Sequence, residues 1–132
     1  MEDLKLVAEF DFVEPEELYD AWLDGEMHTE MTGGDATCEP IVGAEFTAWD
    51  GYITGTNLEL DPPHRIVQSW RTTEFDDDDD DSRLELIFEP TEDGGTLLTL
   101  LHTNIPEGDG EKYLAGWNEH YLEPMQTYFD IE

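Results

Sequence analysis

The chain has 132 residues, with 35 Asp and Glu against 5 Lys and Arg, a formal net charge of -30 and 38% hydrophobic residues. One domain spanning residues 1–132 is expected at this length, large enough to bury a core without disulfides or a structural metal. So large an acidic excess excludes nucleic-acid binding by phosphate neutralisation and attachment to anionic membranes, since both need clustered cations.

Cys38 is the single cysteine, so no internal bridge can form and a reducing compartment is the expectation. No apolar run approaches the roughly 20 residues of a membrane helix, and Met1-Glu2-Asp3 carries the wrong charge for a signal peptide. A cytoplasmic protein is expected. The charge alone would allow disorder, but Trp22, Trp49, Trp70 and Trp117, with 6 Phe and 5 Tyr, supply a packed core instead. Concentrated salt is the setting that makes this balance tolerable, because at 1 M the screening length falls to about 3 Å. A halophile's surface is therefore the reading, with a basic partner or a divalent metal as the alternatives.

Residues 5–12 alternate, with Leu6, Ala8, Phe10 and Phe12 facing one way and Lys5, Glu9 and Asp11 the other, which predicts a half-buried strand. Pro15 at a first helical turn, followed by Glu16 and Glu17, starts a short helix whose stripe is Leu18, Ala21 and Trp22. Residues 24–31 add another turn or two before Thr32-Gly33-Gly34-Asp35 ends them. From 41 to 104 the pattern is an antiparallel sheet: strands 45–49 and 52–60 flank Asp50-Gly51, a two-residue hairpin turn. Asp61-Pro62-Pro63-His64 makes the next corner, strands 65–75 and 82–89 are joined through the acidic run 76–81, and strand 96–104 follows the Asp93-Gly94-Gly95 turn. Residues 111–129 shift to helical period, with Leu114, Trp117, Tyr121, Met125 and Tyr128 recurring at three and four, and Pro124 predicts a bend. Strands grouped between helices give an α+β class.

The stretch from Phe46 through Trp49-Asp50-Gly51-Tyr52 to Gly55 resembles a family signature, as do Leu60-Asp61-Pro62-Pro63-His64-Arg65-Ile66-Val67, Gly94-Gly95-Thr96 through His102, and Gly116-Trp117. In order and spacing they are similar to the homologues of the activator of heat shock protein 90 ATPase, within the START-like helix-grip superfamily. The resemblance implies a curved antiparallel sheet wrapped around a long C-terminal helix, two short helices closing one end, and an apolar cavity between sheet and helix. The large N-terminal module of the eukaryotic co-chaperone is not in this sequence, so the resemblance does not bring a chaperone partner with it.

Within that frame the expected function is binding of a small hydrophobic molecule. Trp22, Trp49, Trp70 and Trp117 would form the walls, with Tyr52 and Tyr113 as further lining candidates, and His102 and Tyr121 would orient the ligand; the same rings could equally fill a core. His102 shares a strand face with Leu98 and Leu100, and its plainest role is a hydrogen-bonded histidine near the mouth of the core. No catalytic residue is assigned, since Cys38, Ser69 and Ser82 stand in no nucleophile motif. An enzyme, a cyclase or hydrolase of small aromatic substrates, would need His102 within reach of a carboxylate or hydroxyl inside the cavity. No cofactor and no metal are expected. His28, His64, His102 and His120 form no ligating pair. The 76–81 run lacks the Gly and terminal Glu of an EF-hand loop and reads as a solvated, mobile loop. A co-chaperone-like interaction module is the remaining alternative; Leu97 and Leu101, on the opposite strand face, are where a partner or a homodimer would dock.

Overall fold

Period-two alternation shapes strand β1 (Glu2–Phe10): Leu4, Leu6, Ala8 and Phe10 turn toward the core, while Asp3, Lys5, Val7 and Glu9 stay exposed. It begins earlier than expected because Glu2 and Leu4 already pair with Ile105 and His102. The computed structural model describes residues 2–11, 13–92 and 94–129; Phe12, expected to continue the inward face, and Asp93, expected in a turn, lie outside them.

Pro15 opens α1 (Pro15–Leu23), and Leu18, Tyr19, Ala21, Trp22 and Leu23 are buried along it. A separate helix follows at once. Asp24 caps α2 (Gly25–Thr32), its carboxylate accepting from the N–H groups of Glu26 and Met27 at 2.9 and 3.3 Å, which satisfies donors a helix start otherwise leaves open.

Five further strands complete one sheet: β2 (Glu45–Ala48), β3 (Ile53–Asp61), β4 (Arg65–Thr72), β5 (Ser82–Pro90) and β6 (Thr96–Ile105). The order is β1-β6-β5-β4-β3-β2, with every neighbouring pair antiparallel. At the β2–β3 turn Asp50 and Gly51 have φ of 60 and 89, and the Tyr52 N–H donates to the Trp49 carbonyl at 3.1 Å, the two-residue turn the dipeptide predicts. β4 stops at Thr72 rather than at 75. Phe75 folds back there and sets its ring 6.1 Å from Trp70 and 6.0 Å from Tyr113.

The acidic run 76–81 differs from the expected free loop. Arg71 leaves β4 into its centre and donates to the carbonyls of Asp76 and Asp79 and, at 2.7 Å, to the Asp81 carboxylate. One guanidinium offers enough donors to gather several oxygens. Trp70, one position earlier, faces inward as alternation requires.

The C-terminal run crosses the inner face of the sheet as α3 (Gly110–Trp117), a π-helical segment (Asn118–Leu122) and α4 (Glu123–Phe129). A strict four-residue repeat drifts around a straight α-helix of about 3.6 residues per turn. The wider π turn takes up that drift, so Tyr113, Trp117, Tyr121 and Met125 all remain buried. The expected irregularity at Pro124 therefore appears one turn earlier, where the Glu123 N–H reaches back to the Asn118 carbonyl. Beneath the run lies the sheet's inner layer: Leu84, Leu86 and Phe88 of β5 beside Leu98, Leu100 and His102 of β6, all fully buried.

On the outer face Leu97 and Leu101 are only half-exposed, paired across strands with Glu9 and Glu89, and with Lys5 and Glu85. The large apolar side chains left most open are Val7, on this same face opposite Thr99, and, away from it, Ile41, Val42 and Leu58. Among the described residues no helix is long and apolar enough to cross a membrane.

Candidate functional site

His102 lies wholly buried on β6 and is claimed on both ring nitrogens. The Trp117 indole N–H donates to His102 Nδ1 at 3.0 Å, and His102 Nε2 is 2.6 Å from Ser82 Oγ. Ser82 spends its own proton on the Trp70 carbonyl at 2.8 Å. Only one proton arrangement satisfies all three contacts: Nε2–H donates to Ser82, and Nδ1 accepts from Trp117. A protonated ring would set Nδ1–H against the indole N–H, and burial alone already pushes the His102 pKa down to about 3. Both nitrogens being engaged, the imidazole acts as a rivet between helix and sheet. Ser82 is no nucleophile here, since its oxygen is the acceptor and its proton points at a carbonyl.

A second histidine repeats the pattern. His28 Nδ1 donates to the Trp22 carbonyl at 2.9 Å, which leaves Nε2 to accept from the Tyr121 hydroxyl at 3.0 Å. Burial lowers the His28 pKa and raises that of Tyr121. Trp22 adds a buried link of its own, its indole N–H donating to Gln68, whose amide donates to Asn57.

Beside these rivets opens a cavity of about 420 Å³, within the roughly 300–1,000 Å³ usual for small-molecule sites. Trp70, Tyr113, Trp117 and Tyr121 form its deep wall, and Trp49, Tyr52 and Ile53, from the β2–β3 hairpin, face them. The Trp70 and Trp117 rings stand 5.5 Å apart and those of Trp117 and Tyr121 4.8 Å apart, both pairs tilted. Trp49 is seated by Gly34: a Cβ there would lie 2.3 Å from the indole, so no larger residue fits beneath it. The buried Trp49 N–H approaches the Tyr121 hydroxyl, short of ordinary hydrogen-bond geometry. Gly116 also lines the space, and a Cβ added there meets nothing within 4 Å.

Polar groups gather at the rim. Lys112 Nζ lies 3.1 Å from Glu74 Oε1 and 4.9 Å over the Tyr113 ring, and the Tyr52 hydroxyl donates to the other Glu74 oxygen. These hydrogen bonds, from Tyr52 first and then Lys112, hold the Glu74 carboxyl below the usual range. His120 completes the rim, edge-on to Trp49 at 5.3 Å.

Of the six residues expected at a cavity, Trp49, Trp70, Trp117 and Tyr121 line it together. Trp22 and His102 stand behind the wall, bonded to Gln68 and to Trp117 respectively. Tyr52 and Tyr113, the further lining candidates, line it as well. Sequence reasoning missed Gly116 and the Glu74–Lys112 pair as parts of the site; Gly116 was legible as a helix-interior glycine with no turn to make. Cys38 is half-buried away from this cavity, and burial pushes its thiol up to about 11, leaving it protonated. Among the described residues no group of three or more His, Cys, Asp or Glu could hold a metal.

The family model described as Activator of Hsp90 ATPase homolog 1-like protein matches residues 13–130. Over 126 residues, 96% of its length, the chain is 29% identical to the activator of 90 kDa heat shock protein ATPase homolog of Dictyostelium discoideum, of which it spans only 32%. The crystal structure of an HSP90 activator from Plasmodium falciparum superposes with a TM-score of 0.89 at 27% identity, covering 97% of this chain and 96% of that one. The solution structure of the Aha1 dimer from Colwellia psychrerythraea shares the fold at a TM-score of 0.77 and 15% identity, over 98% and 95% of the two chains.

The His102 rivet predicts a pH dependence. The unfolded histidine takes a proton near pH 6.5, whereas the folded one resists it down to about 3. Between those values the unfolded state binds the extra proton, so stability rises with pH and is lost as acid is added. Surface carboxylates act oppositely, since protonating them relieves repulsion; the difference between wild type and His102→Gln isolates the histidine. Urea unfolding should show wild type losing about 2 kcal/mol more than the variant between pH 7 and pH 5. Equal losses would mean that the imidazole is not held neutral.

Proposed function

Because the chain belongs to the family of Activator of Hsp90 ATPase homolog 1-like proteins, we propose that it uses the family's helix-grip fold to bind a small hydrophobic molecule beside the C-terminal helix. Gly116 carries this reading. A glycine inside a helix costs roughly 0.5–1 kcal/mol relative to alanine, and here no neighbouring atom requires the missing side chain. Empty space against a bare Cα is what a site loses when a side chain is added and what a solid core would have filled.

A second reading, a module that stimulates a chaperone ATPase, is favoured by the names of the Dictyostelium and Plasmodium relatives. Ile41 and Val42 add to it, for they are open and their segment is bonded to Asn57 beside the open Leu58. The two readings use different surfaces.

We further read the acidic surface as an adaptation to concentrated salt. Four of the five cations are spent on carboxylates: Arg65 on Glu59 and Glu85, Arg83 on Glu85, Arg71 on Asp81 and Lys112 on Glu74. With 35 Asp and Glu against 5 Lys and Arg, ion pairs can reach only a minority of the carboxylates, and screening offsets much of the remaining repulsion.

Gly116→Leu separates the binding readings. With N-phenyl-1-naphthylamine, an uncharged dye that brightens in apolar sites, the variant should lose at least about tenfold in uptake while its melting temperature stays level or rises. Stimulation of a 90 kDa chaperone's ATPase, should it occur, would survive Gly116→Leu and fail in Ile41→Asp. Unchanged dye uptake in Gly116→Leu would remove the cavity from consideration. Separately, the melting temperature should climb by several degrees between 0.1 M and 2 M KCl; a flat or falling curve would contradict the salt reading.

A further inference from the structure

The walls of the cavity are aromatic in a particular way. Trp49, Tyr52, Trp70, Tyr113, Trp117 and Tyr121 line it, and among the described residues no phenylalanine does. Indole and phenol rings present the most electron-rich faces among the side chains, and those faces attract cations, most strongly where water is excluded. The protein already uses one of them this way: the Lys112 ammonium sits 4.9 Å over the Tyr113 ring. That lysine does not make the rim positive, because Glu74 at 3.1 Å and Asp109 at 3.8 Å outweigh it. The surrounding chain carries a net charge of -30, which draws cations toward any opening and turns anions away.

We propose that the cavity takes an organic cation, an ammonium bearing methyl or aromatic groups, held by ring faces rather than by a buried carboxylate. This rests on the reading of the cavity as a ligand site and names the chemical class of the ligand. The arrangement suits concentrated salt. Exposed ion pairs weaken there as the screening length shrinks toward about 3 Å at 1 M, whereas a cation pressed against rings inside a dry pocket is shielded from those ions.

Benzyltrimethylammonium and its neutral carbon isostere neopentylbenzene have the same shape and differ in charge. Titration calorimetry and tryptophan fluorescence on the whole chain, in 0.1 M and 1 M KCl, should show the cation binding about tenfold more tightly than the isostere, with the preference kept at high salt. Trp49→Leu should weaken the cation more than the isostere. Equal binding, or tighter binding of neopentylbenzene, would overturn the cation preference while leaving a hydrophobic site in place. Binding of neither would overturn both.

Discussion

The file of hydrogen bonds from the Trp117 indole through His102 and Ser82 to the Trp70 carbonyl fixes where the C-terminal helix lies on the sheet. Each link donates in one direction, so the file has a single proton arrangement and a single register. Removing the His102 ring would strand both the Trp117 N–H and the Ser82 oxygen at about 1–3 kcal/mol each, a large fraction of the 5–15 kcal/mol typical of a whole domain. The helix is thereby tied at a point rather than pressed evenly along its length. To one side of the tie Trp22, His28 and Tyr121 pack closely, with ring centroids 4.9 to 5.4 Å apart; toward the β2–β3 hairpin, Gly116 leaves the space open.

Surface charge and interior packing divide the work. Exposed ion pairs contribute about 0–1 kcal/mol each, so the pairs formed by the few cations cannot hold the fold against so many carboxylates. The aromatic layer can. Trp22, Trp70, Tyr113, Trp117 and Tyr121 are each at most 5% exposed, and rings of this size bury about 150–250 Å² apiece at roughly 25 cal/mol per Å². Arg71 shows charge organising structure, since its guanidinium gathers the carbonyls of Asp76 and Asp79 and the carboxylate of Asp81.

Much of this was legible in the sequence. Leu6, Ala8 and Phe10 on one strand, the Asp50-Gly51 turn and the Trp117–Tyr121–Met125 spacing each state a local geometry directly, and together they place the sheet and the helix. The family motifs added the way these parts are wrapped. Local pattern could not say which aromatic residues share a wall: Trp22 and Trp117 look alike in periodicity, yet only the latter reaches the open space. The role of His102 depended on Ser82, twenty residues away on the neighbouring strand. The π turn was hidden for a related reason, because Pro124 announces an irregularity without fixing where the ladder yields.

The tautomer of His102 tests the account most directly. Two-bond proton–nitrogen correlation spectra of the imidazoles, with His102 identified by its loss in His102→Gln, should show a neutral ring protonated on Nε2 and bare on Nδ1, unchanged from pH 7.5 to pH 5. A ring protonated on Nδ1, or one that titrates near pH 6.5, would contradict the tie between helix and sheet on which the cavity depends.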